Sequence, residues 1–438
     1  MTNAVPREAR PRRPSEHLDV EQLRALQERR LRLQVRYAYA RSPFYRDRFE
    51  RLGLLPDDIG GLDDLELLPL TSAAELLESL LAHPPLGLHA AAPGAEVVRI
   101  YPGAGGLPRY SGLTRHDWAN WREAATRACW ALGIGPGAVA VVAIGAEHPA
   151  AGELALHALA ALGATAVPAD MRRPRQLLGA LVNLRADTLL CSPDDALALA
   201  DYLRAELETE PIALGLRRLA LYSETGSVSA APRALEADWG AAVTEATGRG
   251  DVLPLFAASC PAGEGLHLLA SDLLIAELVA PETGRPLPAG LPEAQGELVL
   301  THLDHECAPL LRLRTGDLVA LSGGPCPCGR PGRLMRRLGR ADEVLTVGRV
   351  RVRPAAIRDL LLELRPYATG AMSVVPGVQG SAADPPLRLL VEYGPAVRDL
   401  AGFRRDVEAL LRRRLALEAV AHPMPPGALA GSAHLSRG

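Results

Sequence analysis

An α/β fold is predicted, with a large N-terminal domain of helices packed on sheets and a small C-terminal α+β domain. Three observations carry this. From Gly137 onward, short apolar runs alternate with Ala/Leu-rich helical stretches: VAVVAIG, a helix through His157, ATAVPAD, a helix from Pro174, then TLLCS and RRLALYS. That βαβα rhythm belongs to a sheet with helices on its faces. Residues 290–350 then switch to short strands and turns. Residues 354–418 hold helices around Ala355–Leu364 and Phe403–Leu417 beside the strand-like SVV and LRLLVEYG, a small α+β module.

A chain of 438 residues suits two or three domains. A net charge of −3 argues against a nucleic-acid binder. All 48 basic residues are Arg, with no Lys anywhere, which excludes every mechanism that needs a lysine ammonium. Six cysteines are too few for a disulfide scaffold at this length. Residues 1–15 are polar and Arg/Pro-rich and read as a disordered arm rather than a signal peptide. The longest apolar stretch, Leu154 to Pro168, contains His157 and Gly163 and is too short for a bilayer. The expectation is a cytoplasmic protein with no membrane partner.

Residues 16–50 read as a long polar helix, with Ser42-Pro43 a plausible start for a second one. Thr71-Ser72 can cap a helix that carries Glu75 and Glu78. The stretch VVRIYPGAGGLPRYSGLT then sets a β-branched run before a Gly-rich loop and a helix. That order suits a phosphate cradle, and equally a plain Gly/Pro turn. Trp118, Trp121 and Trp130 recur at near-helical spacing and read as packing, as His157 does on its Ala/Leu helix.

Cys260 and His267 stand as C-x6-H, and Cys326 and Cys328 as C-x-C in GGPCPCGRPG. Three thiolates and one imidazole make a closed tetrahedral zinc set. His302, His305 and Cys307 in THLDHEC are competing ligands, and buried cysteines that bind nothing are the plainer alternative. Cys307 with His305 could also form a nucleophile–base pair.

In order along the chain, ARSPFYRDRFERLGLLPDDIGGLDDLELLPLT, GLTRHDWANW, ALHALAALGATAVPA, VAPETGRPLPAG, GELVLTHL, LLRLRTGDL, CPCGR and GRADEVL resemble the phenylacetate–CoA ligase branch of the adenylate-forming (AMP-binding) enzymes. The resemblance covers most of the chain. It implies a large AMP-binding-like domain over 16–340, a hinge at Asp342, and a small domain over 341–438. It implies a structural Zn2+ on Cys260, His267, Cys326 and Cys328. Asp317 of Arg-Thr-Gly-Asp would hold the ribose hydroxyls, with Arg340 near ribose or phosphate. Members are often dimers, so a homodimer is the matching expectation.

The resemblance breaks where phosphate chemistry sits. The family's loop resembles SSGTTGKP; here Gly103 to Pro108 read GAGGLP, leaving only backbone N–H groups such as those of Gly103 and Gly106. The family's Tyr-Gly-Leu-Thr-Glu segment, whose Glu holds magnesium, falls where VLPLFAASC stands, with no carboxylate between Asp251 and Glu264. The family's C-terminal lysine falls in GALAGSAHLSRG, and its Arg-Gly turn after the hinge becomes Gly348-Arg349. Each loss removes a group aimed at developing charge. These losses argue against ATP/Mg2+ and CoA as cofactors. The expectation is a degenerate, repurposed homologue that binds a small-molecule acid, an acyl thioester, a carrier-bound intermediate or an enzyme partner in specialised metabolism, with no assigned catalytic residue. The alternative is a working aryl- or acyl-CoA ligase that passes through an acyl-adenylate.

Overall fold

The computed structural model describes residues 18–103, 110–145, 147–225, 231–260, 265–288, 292–323, 326–330, 332–375 and 382–429. The predicted arm at 1–15, Gly106 and the tail at 430–438 lie outside the described residues.

The N-terminal helix is broken in two, α1 (Val20–Arg41) and α2 (Pro43–Leu52), because Ser42 takes an extended conformation and Pro43 opens the second helix. Ser72 caps α3 (Ala73–Ala82) in a capping box with Glu75. A short antiparallel pair, β1 (Arg99–Pro102) and β2 (Tyr110–Leu113), precedes α4 (Arg115–Ala131), capped by Thr114 and Asp117.

Next come β3 (Val139–Val142), α5 (Pro149–Ala161), β4 (Thr165–Pro168), α6 (Pro174–Asn183), β5 (Thr188–Cys191), α7 (Pro193–Leu207), β6 (Arg218–Glu224), α8 (Ala231–Trp239) and β7 (Ala242–Arg249). Strands β4, β3, β5, β6 and β7 are parallel neighbours in that order, as the alternating pattern predicted. The sheet continues with antiparallel strands: β8 (Leu253–Ala258), β9 (Leu266–Leu268), β10 (Leu274–Val279), β11 (Glu293–His302), β12 (Leu313–Ser322) and β13 (Leu334–Arg340). All eleven form one sheet, ordered β10-β11-β12-β13-β9-β8-β7-β6-β5-β3-β4. Its change from parallel to antiparallel falls at the β7–β8 hairpin, and the candidate site gathers there.

The main core joins α4 and α5 to the sheet through small side chains, Ala124, Ala128, Ala155 and Ala158 among them, which let helix and strand backbones approach closely. Trp121 is buried in that core and stacks on Tyr101 at 6.2 Å between ring centroids, so it packs rather than forming an aromatic cage. Leu31, Val35 and Ala38 of α1 bury against Tyr45, Phe49 and Ile59 in a second cluster.

The chain divides into two compact units, Met1–Thr225 with Asp238–Leu338, and Gly226–Ala237 with Gly339–Gly438. The second unit contains β14 (Leu345–Val347), β15 (Val350–Val352), α9 (Pro354–Leu362), β16 (Ala368–Val374), β17 (Ala382–Ala383), β18 (Leu387–Tyr393), α10 (Leu400–Leu415) and β19 (Ala419–Met424). Its own core sets Ile357, Leu361, Val407 and Leu411 against Leu389 and Val391. Among the described residues no helix is long and apolar enough to cross a membrane.

Candidate functional site

Of the competing ligand sets, one comes together. Cys260 follows β8, His267 lies in β9, and Cys326 and Cys328 sit on the turn before β13. Because β8, β9 and β13 are adjacent strands, residues 66 apart in sequence meet. Cys260 Sγ lies 3.6 Å from Cys326 Sγ, and Cys328 Sγ lies 3.4 Å from His267 Nε2. All four ligand atoms lie within 4.8 Å of one another. Tetrahedral zinc with bonds of about 2.3 Å to sulfur and 2.0–2.1 Å to nitrogen needs S···S near 3.8 Å and S···N near 3.6 Å. The Cys260–Cys326 and Cys328–His267 distances match these values within a few tenths of an ångström, and the donor set suits such an ion. Burial, and then Arg330, push the His267 pKa down to about 4, which keeps the imidazole in its neutral, ligating form. Its Nδ1 is buried with no hydrogen-bond partner among the described residues, the position that carries the proton when Nε2 binds metal.

His302, His305 and Cys307 stand elsewhere. His302 accepts from the Leu310 N–H at Nδ1 (3.1 Å) and donates from Nε2 to the Val252 carbonyl (3.2 Å), which fixes its tautomer. His305 stacks on it at 4.3 Å and places Nδ1 3.5 Å from Asp117. Burial pushes the Cys307 thiol up to about 12, so Cys307 is no nucleophile near neutral pH. Asp117 instead accepts the backbone N–H groups of Glu306 and Cys307, which makes the cluster a brace for this loop.

The third place is a cleft beside the β7–β8 hairpin, lined by Pro102, Glu147, His148, Tyr222, Glu224 and Gly250. Gly103, where the altered glycine loop begins, directly follows the lining residue Pro102. Asp317 reaches the hairpin through a bulge. Gly316 takes φ +74°, and the β11–β12 register slips between Glu297 and Val299. Thr315 bonds through Oγ1 to the Leu298 carbonyl at 2.7 Å and accepts the Asp317 N–H at 3.0 Å. Asp317 is fully buried, and its Oδ2 lies 3.1 Å from Arg249 Nη1. The same guanidinium grips Asp251 with Nε on Oδ1 and Nη2 on Oδ2, both at 3.1 Å. Its Nη1 also donates to the Thr315 carbonyl at 3.3 Å. Burial opposes the charge on Arg249, but Asp251, Asp317 and Glu224 outweigh it and raise the pKa, so Arg249 stays cationic. Glu224 accepts the Gly250 N–H at 3.2 Å.

Arg249 and Asp251 were not singled out by the sequence reading, and they correct it. Thr247-Gly248-Arg249-Gly250-Asp251 has glycine second and a carboxylate fifth, the spacing of Tyr-Gly-Leu-Thr-Glu, so this corner does hold a carboxylate. The glycine is required: a Cβ on Gly248 would stand 2.1 Å from the Pro254 carbonyl oxygen. Glu224 also lines the cleft. Arg337 is held by Glu245 and Ser223. In the second unit, Arg340 forks onto Asp342 at 2.9 and 3.2 Å, so the nucleotide-contacting and hinge residues implied by the resemblance pair with each other.

The fold matches solved structures of adenylate-forming ligases. 2-Hydroxyisobutyryl-CoA ligase in the postadenylation state, in complex with R3-HIB-AMP, matches with a TM-score of 0.85 at 26% identity, covering 95% of this chain and 89% of that one. ATP-bound MatB from Rhodopseudomonas palustris shares the fold at a TM-score of 0.55 and 17% identity, over 77% of this chain and 67% of that one. No family model matches the chain. Phenylacetate-coenzyme A ligase of Thermus thermophilus is 34% identical over 355 residues, 80% of this chain and 77% of that one. The Pseudomonas putida enzyme of the same name is 30% identical over 356 residues, 80% and 78% of the two chains. The chain belongs to the phenylacetate–CoA ligase family.

Proposed function

We propose that this family member keeps the acyl-binding fold and a structural zinc on Cys260, His267, Cys326 and Cys328, but does not activate carboxylates with ATP. Its task is to bind a small carboxylic acid or the corresponding acyl thioester. One observation carries this reading: the chain has no lysine, and the arginines beside the cleft are committed to internal carboxylates, Arg249 to Asp251 and Asp317, and Arg337 to Glu245. Phosphoryl and adenylyl transfer rely on cations and donors placed where charge develops. Loss of one such donor costs about 2.7–4 kcal/mol of transition-state stabilisation.

A second reading, an ATP-dependent aryl- or acyl-CoA ligase, draws support from the relatives' names and from the retained carboxylates of Asp251 and Asp317. It would join the acid to AMP with release of pyrophosphate and then pass the acyl group to CoA. Zinc-replete protein incubated with ATP, magnesium and a panel of aromatic and short-chain acids separates the two. The first reading expects no acid-dependent pyrophosphate release; acid-dependent release with a trapped acyl-adenylate establishes the second.

A further inference from the structure

The guanidinium of Arg249 lies between two carboxylates at the turn from the parallel to the antiparallel half of the sheet. It is buried, it bonds both oxygens of Asp251 and one of Asp317, and it is held in register by the Thr315 carbonyl. Two carboxylates this close would otherwise repel, and the usual remedies are a shared proton, a divalent metal or a resident cation. We propose that Arg249 is the resident cation of this corner, filling the charge role of a divalent metal, so that the cleft takes its ligand without Mg2+ and does not take a polyphosphate.

The geometry supports each half of this statement. A planar fork satisfies a carboxylate bidentately, which leaves both Asp251 oxygens engaged within the protein. A hard cation such as Mg2+ needs such oxygens in its own octahedral shell at about 2.0–2.1 Å, which the guanidinium already occupies. Among the described residues, the cleft wall next to this corner carries Glu147 and Glu224 and no arginine, so a triphosphate would meet like charge there. The sequence carries the same sign of change: arginine stands at the third position of Thr-Gly-Arg-Gly-Asp, where the family's segment has an uncharged leucine.

This deepens the reading of a chain that does not use ATP, yet the two fail separately. The direct test is titration of zinc-replete protein with Mn2+, following the resonance of free Mn2+, for the natural chain, Asp251→Asn and Arg249→Met. The natural chain and Asp251→Asn should bind Mn2+ equally weakly. Arg249→Met, freed of its internal cation, should bind it at least about tenfold more tightly through oxygen ligands. A site in the natural chain that Asp251→Asn abolishes overturns the proposal whether or not Arg249→Met folds. So does a folded Arg249→Met that gains no Mn2+ affinity. If acyl-adenylate forms while Mn2+ still ignores Asp251, the functional reading falls and the resident cation stands.

Discussion

Replacing Cys326 by serine should remove the zinc and, with it, a measurable part of the large unit's stability. Cys326 is buried, its sulfur lies 3.6 Å from Cys260, and the set ties together β8, the three-residue β9 and the turn before β13. Folded protein that binds zinc while the unfolded chain does not gains about 4.1 kcal/mol at free zinc 1,000 times the dissociation constant. With about 2–4 °C per kcal/mol for large domains, the lower end applying to a unit this size, removal lowers Tm by about 8 °C. The assay is calorimetric melting of natural chain and Cys326→Ser, each with and without a strong chelator, alongside metal content. The natural chain should hold one zinc and melt earlier after chelation, and the variant should be zinc-free and insensitive to chelator. A zinc-free natural chain, or an equal chelator effect in both proteins, would refute the reasoning.

Arg127→Met should cost about 3–5 kcal/mol in urea unfolding, because it leaves Asp272 buried without the guanidinium that bonds it at 2.7 and 3.1 Å. Gly248→Ala should destabilise the β7–β8 hairpin by about 1–3 kcal/mol or more, because the new methyl meets the Pro254 carbonyl; unchanged urea stability would contradict that clash. Burial and His305 push the His302 pKa down to about 3. Between there and the ordinary value near 6.5 the unfolded chain binds the extra proton. Stability is therefore full above pH 6.5 and falls as pH drops, by up to about 1.4 kcal/mol per unit from this residue. His302→Gln should flatten that slope in urea titrations at pH 7 and pH 5, and an unchanged slope would show that His302 does not set it.

Much of the fold was legible because local chemistry and long-range packing agree. The Ser42-Pro43 break, the Ser72–Glu75 capping box and the alternating apolar runs each specify local structure. The grouping of Cys260, His267, Cys326 and Cys328 was legible because few residue types share that chemistry and their order matched a family. The Arg249 corner was not, for a physical reason. Arg249 in β7 and Asp317 in β12 are 68 residues apart on strands that are not neighbours in the sheet, and only the folded chain, with its bulge at Gly316, brings them together. Asp251 was passed over because an acid one methylene shorter stands for the expected glutamate and an arginine interrupts the motif. Neither change announces, in one dimension, that the two side chains bond each other. The boundary of β16 shows a milder limit. SVV was the strand-like part, yet the strand begins at Ala368, since its register with β18 outweighs the weak propensity of Ala-Thr-Gly-Ala.

The most direct test of the central claim is calorimetric titration of zinc-replete natural chain with ATP and magnesium. No binding at millimolar ATP is the expected result, and it would turn attention to acids and acyl thioesters as ligands. Micromolar, magnesium-dependent binding would contradict the claim, because it would require Asp251 and Asp317 to release Arg249 and accept a metal and a ribose instead.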